Sequence, residues 1–314
     1  CFVSVIAIMV FIFAVYRHLP PSDYSAKFSL FQLQSVWRFA SGMMVTTLLA
    51  LLLTQIDKVI LSRLLSLEMF GYYMLAWTVA CALYQLIGPV TQAYFPRFTE
   101  LITLRDTPAL ISAYHQGAQL ISAFVAPAAF MLMFFGKDLL VLWTGNVGLS
   151  DNVAPLLALL ALGTMLNGLI HVPYMLTLAH GWPGFHVRMN AVAVAVLMPA
   201  ILWVTPRYGA IGAAWIWVAL NVGCVIIGTH FIHRRLLPGE KWRWYGIDLG
   251  LPLVAAVFSA GVFRYLQPEA ASKPAELLYL VAAGLITTGV AVFVAPGLRK
   301  TIIRQIHIYG NVSK

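Results

Sequence analysis

Nine predominantly apolar stretches follow one another along the chain, at 2–16, 39–56, 70–92, 118–135, 154–179, 189–204, 209–232, 246–263 and 277–295. A helix needs about 20 such residues to cross ~30 Å of hydrocarbon. Breakers separate the stretches: Pro20-Pro21, Pro96, Gly136, Gly145, Gly181 with Pro183, Pro206, Pro238-Gly239, Pro268 and Pro274. In hydrocarbon the backbone must satisfy its own N–H and C=O groups, which leaves only helices and closed barrels. The two-residue alternation of a barrel strand is absent. The expected fold is all-α, a polytopic transmembrane bundle of about nine spans.

Charge sets the class and the orientation. Only 10% of the 314 residues are charged and 61% are hydrophobic, too little polar surface to cover a water-soluble globule of this size. The net charge of +9 is spread too thinly for a nucleic-acid footprint, so the expected environment is the lipid bilayer, with no nucleic-acid partner. One set of alternate loops carries fourteen Lys and Arg residues, among them Arg234, Arg235, Lys241, Arg243 and the tail residues Arg299, Lys300, Arg304 and Lys314. The opposite set carries six: Lys58, Arg63, Lys137, Arg207, Arg264 and Lys273. Positive loops stay in the cytoplasm, so the C-terminus is expected there. The run Lys241 to Tyr245, with Trp242 and Trp244, reads as an interfacial anchor.

Little in the chain suggests covalent chemistry. No phosphate loop, GxSxG elbow, HExxH or paired-carboxylate motif is present. Cys1, Cys81 and Cys224 fit neither a disulfide framework nor a zinc site, and the eight histidines are scattered. No cofactor, metal or catalytic residue is expected.

The informative region runs from Ser35 to Glu100. Asp57 and Lys58 follow directly on an apolar run, where each charge costs about 2.5–3.5 kcal/mol at a span centre. Neighbours on a helix point ~100° apart, so the two cannot pair ideally with each other. Two readings stay open: the charges face a water-filled cavity, with Asp57 seeking Arg38 or Arg97, or the span ends near Ile56 and both sit among headgroups. Gly88-Pro89 predicts a kink in the next span. Asn167, His171 and Asn221 are weaker polar candidates in later spans. Gly209, Gly212 and Ala213 form a close-packing face.

Gln55-Ile56-Asp57-Lys58-Val59-Ile60-Leu61-Ser62, then Leu67-Glu68-Met69-Phe70-Gly71-Tyr72-Tyr73-Met74-Leu75-Ala76, and later Tyr208-Gly209-Ala210-Ile211-Gly212-Ala213-Ala214, carry a resemblance. The chain resembles the polysaccharide-export branch, O-antigen flippase-like, of the multidrug/oligosaccharidyl-lipid/polysaccharide exporter superfamily. The resemblance implies a non-enzymatic flippase in the bacterial inner membrane. It would move an undecaprenyl-diphosphate-linked oligosaccharide, an O-antigen, capsule or exopolysaccharide unit, to the periplasmic leaflet by alternating access. H⁺ or Na⁺ as coupling ion and the polysaccharide polymerase machinery are the further partners it implies. A diphosphate crossing a low-dielectric layer needs basic partners, and the candidates are Arg38, Lys58 and Arg97, with Asp57 as counter-charge or coupling-ion site.

Members have 12 or 14 helices, so nine spans ending in the cytoplasm are expected to be a fragment with helices missing upstream. Residues 1–16 would be the last helix of a truncated N-terminal bundle and 17–38 a cytoplasmic linker. Residues 39–233 would hold six helices, and 234–314 two further spans and a basic cytoplasmic tail. The alternatives are a multidrug/cation antiporter of the same superfamily, which would need acidic cavity residues, and a lipid II flippase. A membrane glycosyltransferase would need a large loop bearing catalytic carboxylates, and the loops here are short.

The charge split generates a topology prediction. Reporter fusions after Lys241 and after Lys314 should report the cytoplasm, and one after Lys273 the opposite side. A periplasmic signal from the Lys314 fusion would invert the assigned orientation.

Overall fold

The computed structural model describes residues 2–18, 29–268 and 272–300; some side chains of α1 and α2, Arg38 among them, also lie outside the description. Cys1, Pro20-Pro21, Lys27, Arg304 and Lys314 fall outside the described residues. The described residues form helices and turns with no strand, as the spacing of apolar runs and breakers predicts.

The chain divides into two compact units, Cys1–Ser41 and Gly42–Lys314. The first holds α1 (Phe2–His18) and the start of α2 (Leu30–Leu64). The described side chains of α1 are exposed and almost entirely apolar.

The second unit is built around α5 (Thr107–Thr144), the most deeply buried of the helices. It packs against α4 (Tyr84–Thr103), α6 (Val147–Leu169), α11 (Leu251–Tyr265) and α12 (Lys273–Val294). α6 in turn packs against α3 (Leu67–Cys81) and α8 (Pro183–Gly223). Asp106 caps α5 by accepting a hydrogen bond from the Ala109 N–H at 3.0 Å, and Asn146 caps α6 through the Leu149 N–H at 3.0 Å. Between them Gly145 closes α5 with φ 69°, the left-handed cap that glycine adopts without a Cβ penalty.

Among the described residues six helical segments are long and apolar enough to cross a membrane. The longest, Pro183–Leu236, has 54 residues and comprises α8, a π-helical stretch Cys224–Gly228 and α9 (Thr229–Leu236). It is no single rod. Gly209 takes φ 59° and ψ −150°, a region open essentially only to glycine. Beyond it the chain folds back, so that Val204 lies against Gly212 and Met189 against Gly228. The two arms therefore run antiparallel, as the separate stretches 189–204 and 209–232 predict. After α9 come α10 (Lys241–Arg243), a second π-helical stretch Trp244–Gly250, and α11.

Two boundaries differ from the sequence expectation. α2 does not end near Ile56 but continues to Leu64, which places Asp57 and Lys58 inside a helix. The stretch 70–92 is divided between α3 and α4, with the break at Ala82-Leu83 rather than at Gly88-Pro89. Pro89 has no N–H to offer the carbonyl four residues back, and its ring crowds that carbonyl. The chain responds upstream by tightening, with N–H groups of Ala82, Leu83, Gln85 and Leu86 each bonding three residues back. Pro173 acts similarly: α7 (His171–Ala179) is parted from α6 at Ile170.

The turn at Gly209 yields a stability prediction. Gly209→Ala forces a Cβ into a glycine-only conformation and should cost about 1–3 kcal/mol. A lower melting temperature of the purified protein would register it, whereas Gly184→Ala, near a helix start with open space around it, should be nearly neutral.

Candidate functional site

The continuation of α2 past Ile56 delivers Asp57 into the interior, where its relative exposure is 7%. A carboxylate there needs a donor, and Tyr73 of α3 supplies one: its hydroxyl donates to Asp57 Oδ2 at 2.8 Å. Oδ1 is buried and makes no such bond. Lys58, one position on, points elsewhere. Its Nζ donates to Gln55 Oε1 at 3.1 Å and stands 4.3 Å above the ring of Trp77. The ~100° turn between neighbours thus gives acid and base separate partners on the same facing helix.

From Trp77 a line of polar and aromatic groups crosses the unit. Tyr73 stacks on Trp77 at 6.5 Å between centroids, and Trp77 meets Trp217 of α8 edge-on at 5.3 Å. Gly163 of α6 makes room there, since a Cβ on it would lie 2.3 Å from the Trp217 ring. Asn221 donates to the Trp217 carbonyl at 2.8 Å and accepts from Asn167 Nδ2 at 2.8 Å. Tyr84 donates to Asn167 Oδ1 at 3.0 Å. Tyr84, Asn167 and Asn221, separate in the sequence, are therefore one hydrogen-bonded line joining α4, α6 and α8. His171 joins its edge through the Asn167 carbonyl at 2.9 Å.

A second buried polar group was missed in the sequence. His115 of α5 places Nδ1 against Asp248 Oδ2 and Nε2 2.8 Å from Glu240 Oε2. Gln119, one turn on, donates to Asp248 Oδ1 at 2.7 Å and accepts from the Gly297 N–H at 2.7 Å. Ser122, three residues further on, donates to the Asp248 carbonyl at 2.5 Å. Beside them the Tyr114 hydroxyl meets His233 Nε2 at 3.0 Å. A histidine between two ionised carboxylates must donate from both nitrogens, so either the imidazole is protonated or a carboxyl is. The signals were present, an acid inside the apolar stretch 246–263 and polar residues at 115, 119 and 122 on one helix. Their pairing across more than a hundred residues was not.

Of the expected site residues, Asp57 and Lys58 lie together on α2 with Tyr73 and Trp77. Arg97 stands apart from them, exposed on α4 and paired with Glu100 at 2.7 Å. Among the described residues Asp57 takes Tyr73 as its partner, and Arg97 is paired with Glu100 instead. The side chain of Arg38 lies outside the described residues. Among the described residues no group of three or more His, Cys, Asp and Glu is arranged to hold a metal ion.

Residues 2–147 match the family described as polysaccharide biosynthesis protein. Over 226 residues the chain is 24% identical to the lipopolysaccharide biosynthesis protein WzxC of Escherichia coli (strain K12). That stretch covers 72% of this chain and 45% of the relative, so the chain spans less than half the length of the curated protein it matches. No solved structure matches the chain. The resemblance to polysaccharide-export proteins read from residues 55–76 is borne out by both matches, and the first of them contains those residues.

The Asp57–Tyr73 contact carries a measurable consequence. Tyr73→Phe keeps the ring stack and removes the phenol that donates to the carboxylate, which should cost about 1.5–3 kcal/mol. Adding Asp57→Asn should recover part of the loss, because a neutral amide is cheaper to bury than an unpaired charge. Thermal unfolding of the two single variants and the double variant gives the coupling. Additive effects would mean that the pair does not interact.

Proposed function

We propose that the chain works in a flippase that carries an undecaprenyl-diphosphate-linked oligosaccharide across the bacterial inner membrane. The observation that carries this reading is the placement of Asp57 and Lys58 inside an apolar helix, each with its own partner on α3. It occurs in a chain similar to polysaccharide biosynthesis proteins. Moving a lipid-linked sugar between leaflets makes and breaks no covalent bond, so the proposed activity is transport and not catalysis.

In this reading Lys58, Arg97 and Arg38 meet the diphosphate. Lys58 suits the task because its ammonium rests on the Trp77 face and remains partly exposed, so it can exchange that contact for a phosphate oxygen at low desolvation cost. Arg97 keeps its guanidinium at the surface, tethered by Glu100, and offers the bidentate fork that matches phosphate. Asp57 balances the charge of Lys58 when the site is empty and is the proposed coupling-ion position, for H⁺ or Na⁺. The polysaccharide polymerase machinery is the proposed consumer of the delivered unit.

The reading is tested in a strain whose own gene carries the substitutions. Lys58→Ala, Arg97→Ala and Arg38→Ala should each lower surface polysaccharide about ten-fold or more at unchanged membrane abundance, and Arg97→Lys should be intermediate. Arg299→Ala and Lys300→Ala should be nearly silent. Normal export by all three alanine variants at wild-type abundance would refute the assignment of these residues.

A further inference from the structure

The two arms of the hairpin hinged at Gly209 enclose an apolar groove of about 990 Å³. That is the upper end of the ~300–1,000 Å³ range of small-molecule sites, so it has room for hydrocarbon chains and not for a headgroup alone. Small residues such as Ala193 and Gly223 form part of its wall. Only three of the lining residues are charged, and all are arginines: Arg188 from the first arm, Arg234 and Arg235 from the second. The arms run antiparallel from the Gly209 turn, so the three collect at the end opposite the hinge. Arg235 reaches across to the other arm, its guanidinium 4.1 Å above the ring of Trp182, the N-cap residue of α8. Arg188 Nε donates to the Gly184 carbonyl at 3.3 Å.

Among the described residues no carboxylate lies within ion-pair distance of any of the three. Glu240, the nearest acid along the chain, is engaged by His115 at 2.8 Å and by Arg243 at 3.6 Å. Like charges drawn from two arms repel, and one anion seated among them relieves the repulsion. The slot beside them gives that anion's hydrocarbon a place if the anion is the head of an amphiphile. We propose that the groove binds an anionic glycerophospholipid, its phosphate bridging Arg188 to Arg234 and Arg235 and its acyl chains lying between the arms. Basic pockets between transmembrane helices serve as seats for such headgroups. Phosphate matches the arginine fork, whereas a headgroup that also carries an ammonium adds a fourth cation to the site. Phosphatidylglycerol therefore suits it and phosphatidylethanolamine does not. Bound there, the lipid braces the hairpin at the end opposite Gly209. It is a resident ligand and not cargo, and the proposal stands apart from any role of Lys58 and Arg97.

The test measures binding to the full chain purified in neutral detergent, with phosphatidylglycerol, phosphatidylethanolamine and inorganic phosphate as probes. Phosphatidylglycerol should bind at least about ten-fold more tightly than either of the others and should raise the melting temperature. The combined change Arg188→Gln, Arg234→Gln and Arg235→Gln should abolish the preference for phosphatidylglycerol over phosphatidylethanolamine, a selectivity that general destabilisation would not remove. The corresponding triple Lys variant keeps the charge and loses the fork, so it should retain part of the preference. Gly223→Leu fills the slot from a helical position where an added Cβ meets nothing within 4 Å, and it should weaken phosphatidylglycerol binding about ten-fold. If the Gln variant does not fold, the Lys variant and Gly223→Leu decide. Equal affinity for the two phospholipids would mean that the arginines do not read headgroup charge, and inorganic phosphate binding as tightly as phosphatidylglycerol would mean a site for a free anion. Either result overturns the proposal. So does phosphatidylglycerol binding unaffected by Gly223→Leu, or no lipid bound at all, the outcome expected if protein covers the groove.

Discussion

Hydrocarbon offers no hydrogen bonds, so a buried polar side chain turns either to a carbonyl of its own helix, as Thr91 does to Ile87 and Gly88, or to a partner on another helix. Apolar side chains pack about as well against lipid as against protein, and they do little to decide which helices become neighbours. Much of the choice falls to a few polar contacts. Asp57 with Tyr73 joins α2 to α3, Asn167 with Tyr84 and Asn221 joins α6 to α4 and α8, and His115 with Asp248 joins α5 to the π-helical stretch before α11. Gln119 brings in the chain beyond α12 by accepting from the Gly297 N–H. Those contacts hold the apolar bulk in register.

The π-helical stretches show the same constraint acting on backbone. A π turn widens the helix and leaves a carbonyl out of the regular ladder. In Cys224–Gly228 the Val225 carbonyl accepts from the hydroxyls of both Thr229 and Tyr245. Tyr245 itself lies in the other π-helical stretch, Trp244–Gly250, so the two irregular turns are stitched together by one phenol. Gly228 admits a close neighbour, with Met189 packed against it.

The helical class, the breakers and most spans were legible because they depend on local composition. Pro206-Arg207-Tyr208-Gly209 could be seen as the division between two spans, and the polar candidates Asn167, His171 and Asn221 could be picked out as costly in lipid. Partnership could not. That Asp57 would meet Tyr73, sixteen residues on, depends on how α2 lies on α3, and a single sequence carries no record of that angle. His115 and Asp248 are 133 residues apart, and each alone looks like an ordinary polar interruption. Which of the two open readings held at Asp57-Lys58 was hidden for a related reason. Charges suggest a membrane boundary, and it is the phenol and indole on α3 that give Asp57 and Lys58 partners as the helix carries them onward to Leu64.

The tight turn at Gly209 also bears on how the chain reaches its folded state. The entropic cost of bringing two segments together grows with the length of chain between them. Val204 and Gly212 are separated by only eight positions, so the arms can zip from the turn outward with each contact shortening the loop left to close. The His115–Asp248 contact, by contrast, closes a loop of 133 residues and repays its entropy only once α5 and α11 are already side by side. A positive φ at one glycine therefore makes the 183–236 hairpin a local, low-contact-order element that can form before the long-range polar joints.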